Sequence, residues 1–292
     1  METYLLISLT REKKWILENQ GPEGEIYMNG SKAGDVNPYF ACMAALGLLA
    51  ETKNCPMTET EQKAVGRYLD WHTGVLLETD GKMGIYRKES GKLIYKEKAD
   101  SEDGYLGMYL FLMGKYLEKT ESTDLPESWK NGISLALKKI QSLMQDGITQ
   151  VSEENTTVYL MDNLEVWKGL HELELAGLED TQAISEIRKK IQKQIEKIFW
   201  DDADQRWRII GNSDRYHQTE FYPDGVAQIY PLIYEFPVKE KKKQKILYDQ
   251  FTERFQWQKL NKKRTGFLWA MTGMAAAQMR DINNLVELIE NY

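Results

Sequence analysis

Residues 99–105 read Ala99-Asp100-Ser101-Glu102-Asp103-Gly104-Tyr105 and run on into Leu106, Met108, Tyr109, Phe111, Leu112, Met113 and Tyr116. Three acids stand at a helix start, and the helix they open is apolar on nearly every side until Lys115. A helix apolar all round is buried among other helices. Carboxylates at its start meet unpaired amides and the positive end of the helix dipole, but three acids in four residues exceed what capping needs. The surplus points to a site at the mouth of a core helix.

The same design recurs outward from this segment. Asp35-Val36-Asn37-Pro38-Tyr39-Phe40, Tyr159-Leu160-Met161-Asp162-Asn163-Leu164-Glu165 and Glu220-Phe221-Tyr222-Pro223-Asp224-Gly225 each place aromatic and acidic residues before an apolar helix. Between these helices lie amphipathic ones. The periodicity predicts eleven helices, at about 2–19, 38–51, 59–77, 101–120, 127–145, 160–176, 181–200, 223–235, 239–256, 266–279 and 281–290. Strict alternation of amphipathic and wholly apolar helices is what two concentric rings require, because inner helices touch neighbours on all sides. Connections into the apolar helices are long and aromatic, whereas those leaving them are short, in the usual helix-pair range. The long loops therefore gather on one face, at the N-termini of the inner helices, where such a scaffold carries a site. A hairpin over 83–96, turning at Ser90-Gly91, and a strand over 206–210 are the β elements expected.

At 292 residues and 42% hydrophobic content the chain can bury a large core, and residues 1–292 are read as one domain. The net charge of −7, with lysines in outward runs such as 239–245, argues against a nucleic-acid partner, which would meet a basic face. Cys42 and Cys55 form no metal spacing or disulfide framework, with Cys42 read as a small buried hydrophobe. His72, His171 and His217 share no ligand spacing. No metal or cofactor is expected. No run approaches the roughly 20 apolar residues of a membrane span, and no signal-like segment opens the chain. The expectation is a monomer, cytoplasmic if the chain is complete and secreted if a leader has been removed.

These segments resemble blocks of the six-hairpin glycosidase superfamily, (α/α) toroids that include glycoside hydrolases and some polysaccharide lyases. The resemblance covers about residues 24–231. Asp100, Ser101, Asp103 and Tyr105 match a block that often reads Asp-Ser-x-Asp-x-Tyr in bacterial members, while Gly104 and Gly107 depart from its small alanine-like residues. The fold implied is all-α, an (α/α)6-type toroid of alternating inner and outer helices. Eleven helices are one short of six hairpins, so a terminal hairpin is expected to be incomplete.

The activity implied is hydrolysis of an oligosaccharide or polysaccharide, which needs one carboxylic acid at the leaving oxygen and a second carboxylate to activate water or attack the sugar. Asp103 and Asp162 are taken as the acid–base pair, with Asp100 beside them as the remaining catalytic candidate. Asp103 is preferred because Ser101 or Asp100 already serves as cap, and Glu102, about 100° round the helix, is expected to face solvent. Asp35, Glu165, Asp224, Gln228 and His217 are candidates for holding sugar hydroxyls, although Glu165 and Asp224 also suit helix starts. Tyr39, Phe40, Tyr105, Tyr159, Trp167, Tyr222 and Trp269 supply aromatic faces for sugar C–H groups. At least half of these are expected in the core, Phe40 and Trp167 first. Two other readings stay open. A polysaccharide lyase or sugar epimerase would draw on Arg215, Tyr216 and His217, and a non-catalytic carbohydrate-binding protein would keep the groove without a competent acid pair.

Overall fold

The computed structural model describes residues 2–28, 30, 34–89, 92–122, 124–178, 181–213, 220–238, 241–259 and 269–291. Eleven α-helices occur among them: α1 Glu2–Glu18, α2 Pro38–Leu49, α3 Glu59–Glu78, α4 Glu102–Thr120, α5 Glu127–Leu143, α6 Leu160–Leu175, α7 Thr181–Ile198, α8 Val226–Ile233, α9 Lys241–Phe255, α10 Thr272–Gln278 and α11 Ile282–Asn291. The fold is all-α, a toroid in which α2, α4, α6, α8 and α10 form the inner ring and the amphipathic helices back them. The inner helix expected over 266–279 is described only as α10, its early residues lying outside the described set. α8 is preceded by a π-helical turn, Phe221–Gly225, where the pattern predicts one continuous helix.

The sheets are small. β1 (Asp35–Val36) pairs antiparallel with β2 (Gly84–Glu89), and β2 with β3 (Lys92–Lys98), giving the expected hairpin one extra strand; its turn at Ser90-Gly91 lies outside the described residues. β4 (Met144–Gln145) pairs with β5 (Ile148–Thr149), and β6 (Trp200–Asp201) with β7 (Arg206–Trp207).

Local chemistry fixes where the inner helices begin. Pro38 occupies the first turn of α2, and the Asn37 side chain accepts from the Tyr39 amide. Ser101 is in extended conformation before α4, and its Oγ accepts from the Gly104 amide at 3.1 Å. The two most closely packed inner helices, α4 and α6, meet through glycines. A Cβ on Gly107 would lie 2.6 Å from the Val166 amide nitrogen, one on Gly114 2.5 Å from the Glu172 carbonyl carbon, and one on Gly169 2.4 Å from the Gly107 carbonyl oxygen. The backbones therefore touch where any larger residue would wedge them apart. At the far end of this seam, Lys168 is buried and pairs with Glu172 at 2.8 Å and with Glu235, just past α8, at 2.7 Å. Lys115 reaches the other Glu172 oxygen at 3.0 Å. That ion network fixes the C-terminal ends of α4 and α6 opposite the chain that leaves α8.

Candidate active site

A cavity of about 360 Å³ opens at the N-terminal ends of the inner helices. The start of α2 contributes Asn37, Tyr39 and Phe40, and the start of α4 contributes Asp100, Ser101 and Tyr105. From α6 come Met161, Asp162 and Glu165; Tyr222, Tyr230 and Trp269 complete the wall. The aromatic rings pack on one another: Tyr230 stacks on Trp269 at 5.4 Å, Tyr222 lies 5.5 Å from Trp269, and Tyr39 5.6 Å from Tyr105. Polar rims on apolar ring faces are the usual make-up of a small-molecule site.

The three carboxylates of the wall differ in surroundings. Asp100 is exposed. Asp162 has one carboxylate oxygen, Oδ2, buried without a hydrogen-bond partner among the described residues. Burial first, then the charges of Asp103 and Glu165, hold its carboxyl well above the ordinary range, with the Ser101 hydroxyl pulling the other way. Glu165 is 2% exposed, and its Oε1 accepts from three tyrosine hydroxyls: Tyr39 at 2.5 Å, Tyr230 at 2.9 Å and Tyr234 at 3.3 Å. Burial pushes it up to about 8 against those donors. Gly104 is what allows the acids to crowd, because the place its Cβ would take lies 2.7 Å from Glu165 Oε2 and 3.6 Å from Asp162 Oδ1.

Asp103 stands elsewhere. It is 0% exposed and does not line the cavity. Its Oδ1 accepts from Ser101 Oγ at 2.8 Å and from the Gly104 amide at 3.0 Å, and its Oδ2 from Thr149 Oγ1 at 2.7 Å. Burial raises it to about 6 in spite of these bonds. The reason lies in helix direction: at the second position of α4 its side chain folds back on the cap and toward β5, while Asp100, before the cap, faces the opening. Glu102 is buried as well and pairs with Lys98 at 3.3 Å, correcting its expected exposure.

Of the other expected residues, Tyr39, Tyr105, Glu165, Tyr222 and Trp269 reach the cavity. Asp35 does not, since β1 carries it to Arg87 (2.6 Å) and Lys96 (2.7 Å), which hold it down to about 2. Tyr159 is the residue before α6, bridging to Ile210 outside the cavity wall. Trp167 is a core residue stacked on His171, as expected, but Phe40 lines the cavity and is 38% exposed. Gln228 holds both backbone groups of Trp207, and Asp224 is buried with its Oδ2 accepting from the Glu220 amide; both belong to the seam between β7 and α9. His217, Tyr216 and Arg215 lie outside the described residues. Tyr230, on the cavity wall, and Tyr234 behind it both hold Glu165, and neither is among the residues expected from the sequence. Their signal was the i, i+4 pair of tyrosines in an otherwise apolar helix, since buried phenol hydroxyls need partners.

This is the fold of the six-hairpin glycosidases, with a carboxylate-lined cavity at the mouth of its inner ring. No family model and no curated protein matches the sequence. Among solved structures, the chain is similar to a glycosidase in complex with glucose and to a wild-type glycosidase, each at 12% identity and TM-score 0.67, covering 99% of this chain and 84% of the other. A rhamnosidase from Klebsiella oxytoca with rhamnose bound matches at 12% identity and TM-score 0.64, over 98% of this chain and 54% of that one. Among the described residues no group of His, Cys, Asp and Glu is placed to hold a metal ion, and no helix is long and apolar enough to cross a membrane.

Proposed function

We propose that the chain hydrolyses a glycosidic bond in this cavity, with Asp162 as general acid and Asp100 as the second carboxylate. The observation that carries the reading is Asp162: a carboxyl on the cavity wall with one buried oxygen that has no hydrogen-bond partner among the described residues, its hold on a proton raised by burial and by the like charges of Asp103 and Glu165. Such a group gives its proton to the leaving oxygen as the glycosidic bond breaks. Asp100 accepts a proton from the attacking water, and the aromatic wall supports the flat faces of the sugar. Asp103, expected as half of the acid–base pair, becomes a positioning residue, because all of its hydrogen bonds go to the loop and cap behind the cavity.

The neighbours of similar fold support the reaction class, two being named glycosidases and one a rhamnosidase. The test is release of reducing sugar from a panel of glycans by the parent chain, Asp162→Asn and Asp100→Asn. Release by the parent that falls on the order of 10²-fold or more in Asp162→Asn is the expected result. Release unaffected by Asp162→Asn would overturn the assignment, and no release from any glycan would favour a carbohydrate-binding protein.

A further inference from the structure

The aromatic wall of the cavity comes from both flanks of the ring, and one buried carboxyl lies between them. Glu165 on α6 is 2% exposed and accepts at Oε1 from Tyr39 of α2 and from Tyr230 and Tyr234 of α8. The Tyr39 and Tyr230 hydroxyls also lie 3.2 Å from each other. Ring packing carries these bonds outward. Tyr39 meets Phe40 at 5.3 Å and Tyr105 at 5.6 Å, while Tyr230 stacks on Trp269 at 5.4 Å and Trp269 meets Tyr222 at 5.5 Å. Each aromatic ring described on the wall is thus bonded to Glu165 or reached through a ring that is. A phenol hydroxyl buried without an acceptor is costly, so these rings keep their tilt only while the Glu165 oxygen is there to receive them.

We infer that Glu165 is a positioning residue: it ties the α2 flank to the α8 flank through Tyr39 and Tyr230, and so sets the spacing and tilt of the aromatic faces that receive the sugar. The inference rests on the hydrolytic reading of the same cavity, within which it gives the third carboxyl of the wall its part. Glu165 and Asp162 divide the work. Asp162 has a buried oxygen with no hydrogen-bond partner among the described residues, whereas one oxygen of Glu165 serves three hydroxyls. What the tyrosines require of position 165 is an acceptor in one place, not a charge. Burial pushes Glu165 up to about 8, so near neutral pH a glutamine is close to its isostere.

Crystal structures and steady-state kinetics test it together. In Glu165→Leu the three hydroxyls lose their acceptor, and the Tyr39 and Tyr230 rings are expected to turn away from their present places. On a glycan that the parent cleaves, KM is expected to rise about tenfold with kcat within about twofold, the mark of lost binding rather than lost chemistry. Glu165→Gln keeps the acceptor oxygen and is expected to restore both the ring positions and most of the affinity. A second comparison starts from the double variant Tyr39→Phe, Tyr230→Phe, in which the rings are already released. Adding Glu165→Leu there leaves only the Tyr234 hydroxyl to satisfy and should raise KM no further, since the two effects share one path. This comparison also serves if Glu165→Leu alone does not fold. Rings that hold their places in Glu165→Leu, an unchanged KM, or additive effects in the triple variant would overturn the inference. So would a loss of kcat on the order of 10²-fold in Glu165→Gln, which would make Glu165 a proton-transfer group. Ring positions are read without turnover, so the two readings fail separately: no release from any glycan removes the hydrolytic assignment, and unmoved rings remove this one.

Discussion

Asp162 and Asp103 are both buried acids of one neighbourhood, yet they answer to different partners. Asp162 lines the cavity and has one buried oxygen without a hydrogen-bond partner among the described residues, whereas Asp103 spends both oxygens on Ser101, Gly104 and Thr149. On a cleavable glycan, Asp162→Asn should therefore lose far more kcat than Asp103→Asn. Asp103→Ala should instead lower stability, by about 1–3 kcal/mol, since it removes a buried acceptor shared by two hydroxyls and an amide; denaturant titration measures it. Glu165 gives a pH signature. Its folded value of about 8 lies above the ordinary 4.5, so the folded state holds a proton that the unfolded state has lost over that interval. The contribution of Glu165 is fully present below about 4.5 and fades as pH rises through 8. His72, buried and pushed down to about 3, works in the opposite sense: its contribution is present above 6.5 and is lost as pH falls toward 3. Above pH 6.5 the glutamate slope stands largely clear of the histidine. Melting temperatures from pH 6.5 to 9 should fall for the parent, and the difference between Glu165→Gln and the parent should move in favour of the variant as pH rises. Parallel curves would count against a protonated Glu165.

At the scale of elements, the α4–α6 seam decides the spacing of the acids. Gly107→Ala would set a Cβ 2.6 Å from the Val166 amide, so α6 must shift or tilt. We expect a loss of about 1–3 kcal/mol, as for overpacking, with a fall in kcat because Asp162 and Glu165 ride on the same helix. Gly74→Ala in α3 is the control: its Cβ meets nothing within 4 Å, and the change should gain about 0.5–1 kcal/mol through lower chain entropy. Thermal melts of the pair separate the two effects. This seam also marks how far the sequence could be read. Alternating apolar and amphipathic helices disclose the ring, and the aromatic-acidic loops disclose its mouth, because both are periodic signals along the chain. Which of three neighbouring acids turns inward is not periodic. It depends on the exact rotation of the first turn of α4 and on Thr149, a residue 46 positions away that receives Asp103. Asp35 turns away from the cavity for a like reason, since its partners Arg87 and Lys96 arrive from a hairpin 52 and 61 residues downstream. Gly104 and Gly107, departures from a family pattern when read as letters, are the two places where α4 lets the acids and the backbone of α6 approach.

Across the whole molecule, the cavity is assembled from the starts of α2, α4 and α6, from α8 and its preceding turn, and from Trp269 ahead of α10. A ligand there touches every inner helix or its lead-in and so is linked to folding of the ring. At a concentration about 100 times Kd it adds about 2.7 kcal/mol to stability, which for a chain of this size means a rise in Tm of several degrees. Differential scanning fluorimetry with a panel of monosaccharides should show that rise for each sugar that binds. The glycine seam has a different kind of consequence. Every coding change at a glycine enlarges the side chain, so drift at positions 107, 114 and 169 can only push α4 and α6 apart, never together. Most positions in a core can trade a larger residue for a smaller one opposite, but backbone facing backbone leaves nothing to trim. A saturation library sorted for folding should therefore tolerate almost nothing at these three positions while accepting change at the tyrosines of the mouth, and the lineage of such a chain should be free to alter what it binds long before it can alter how far apart its acids stand.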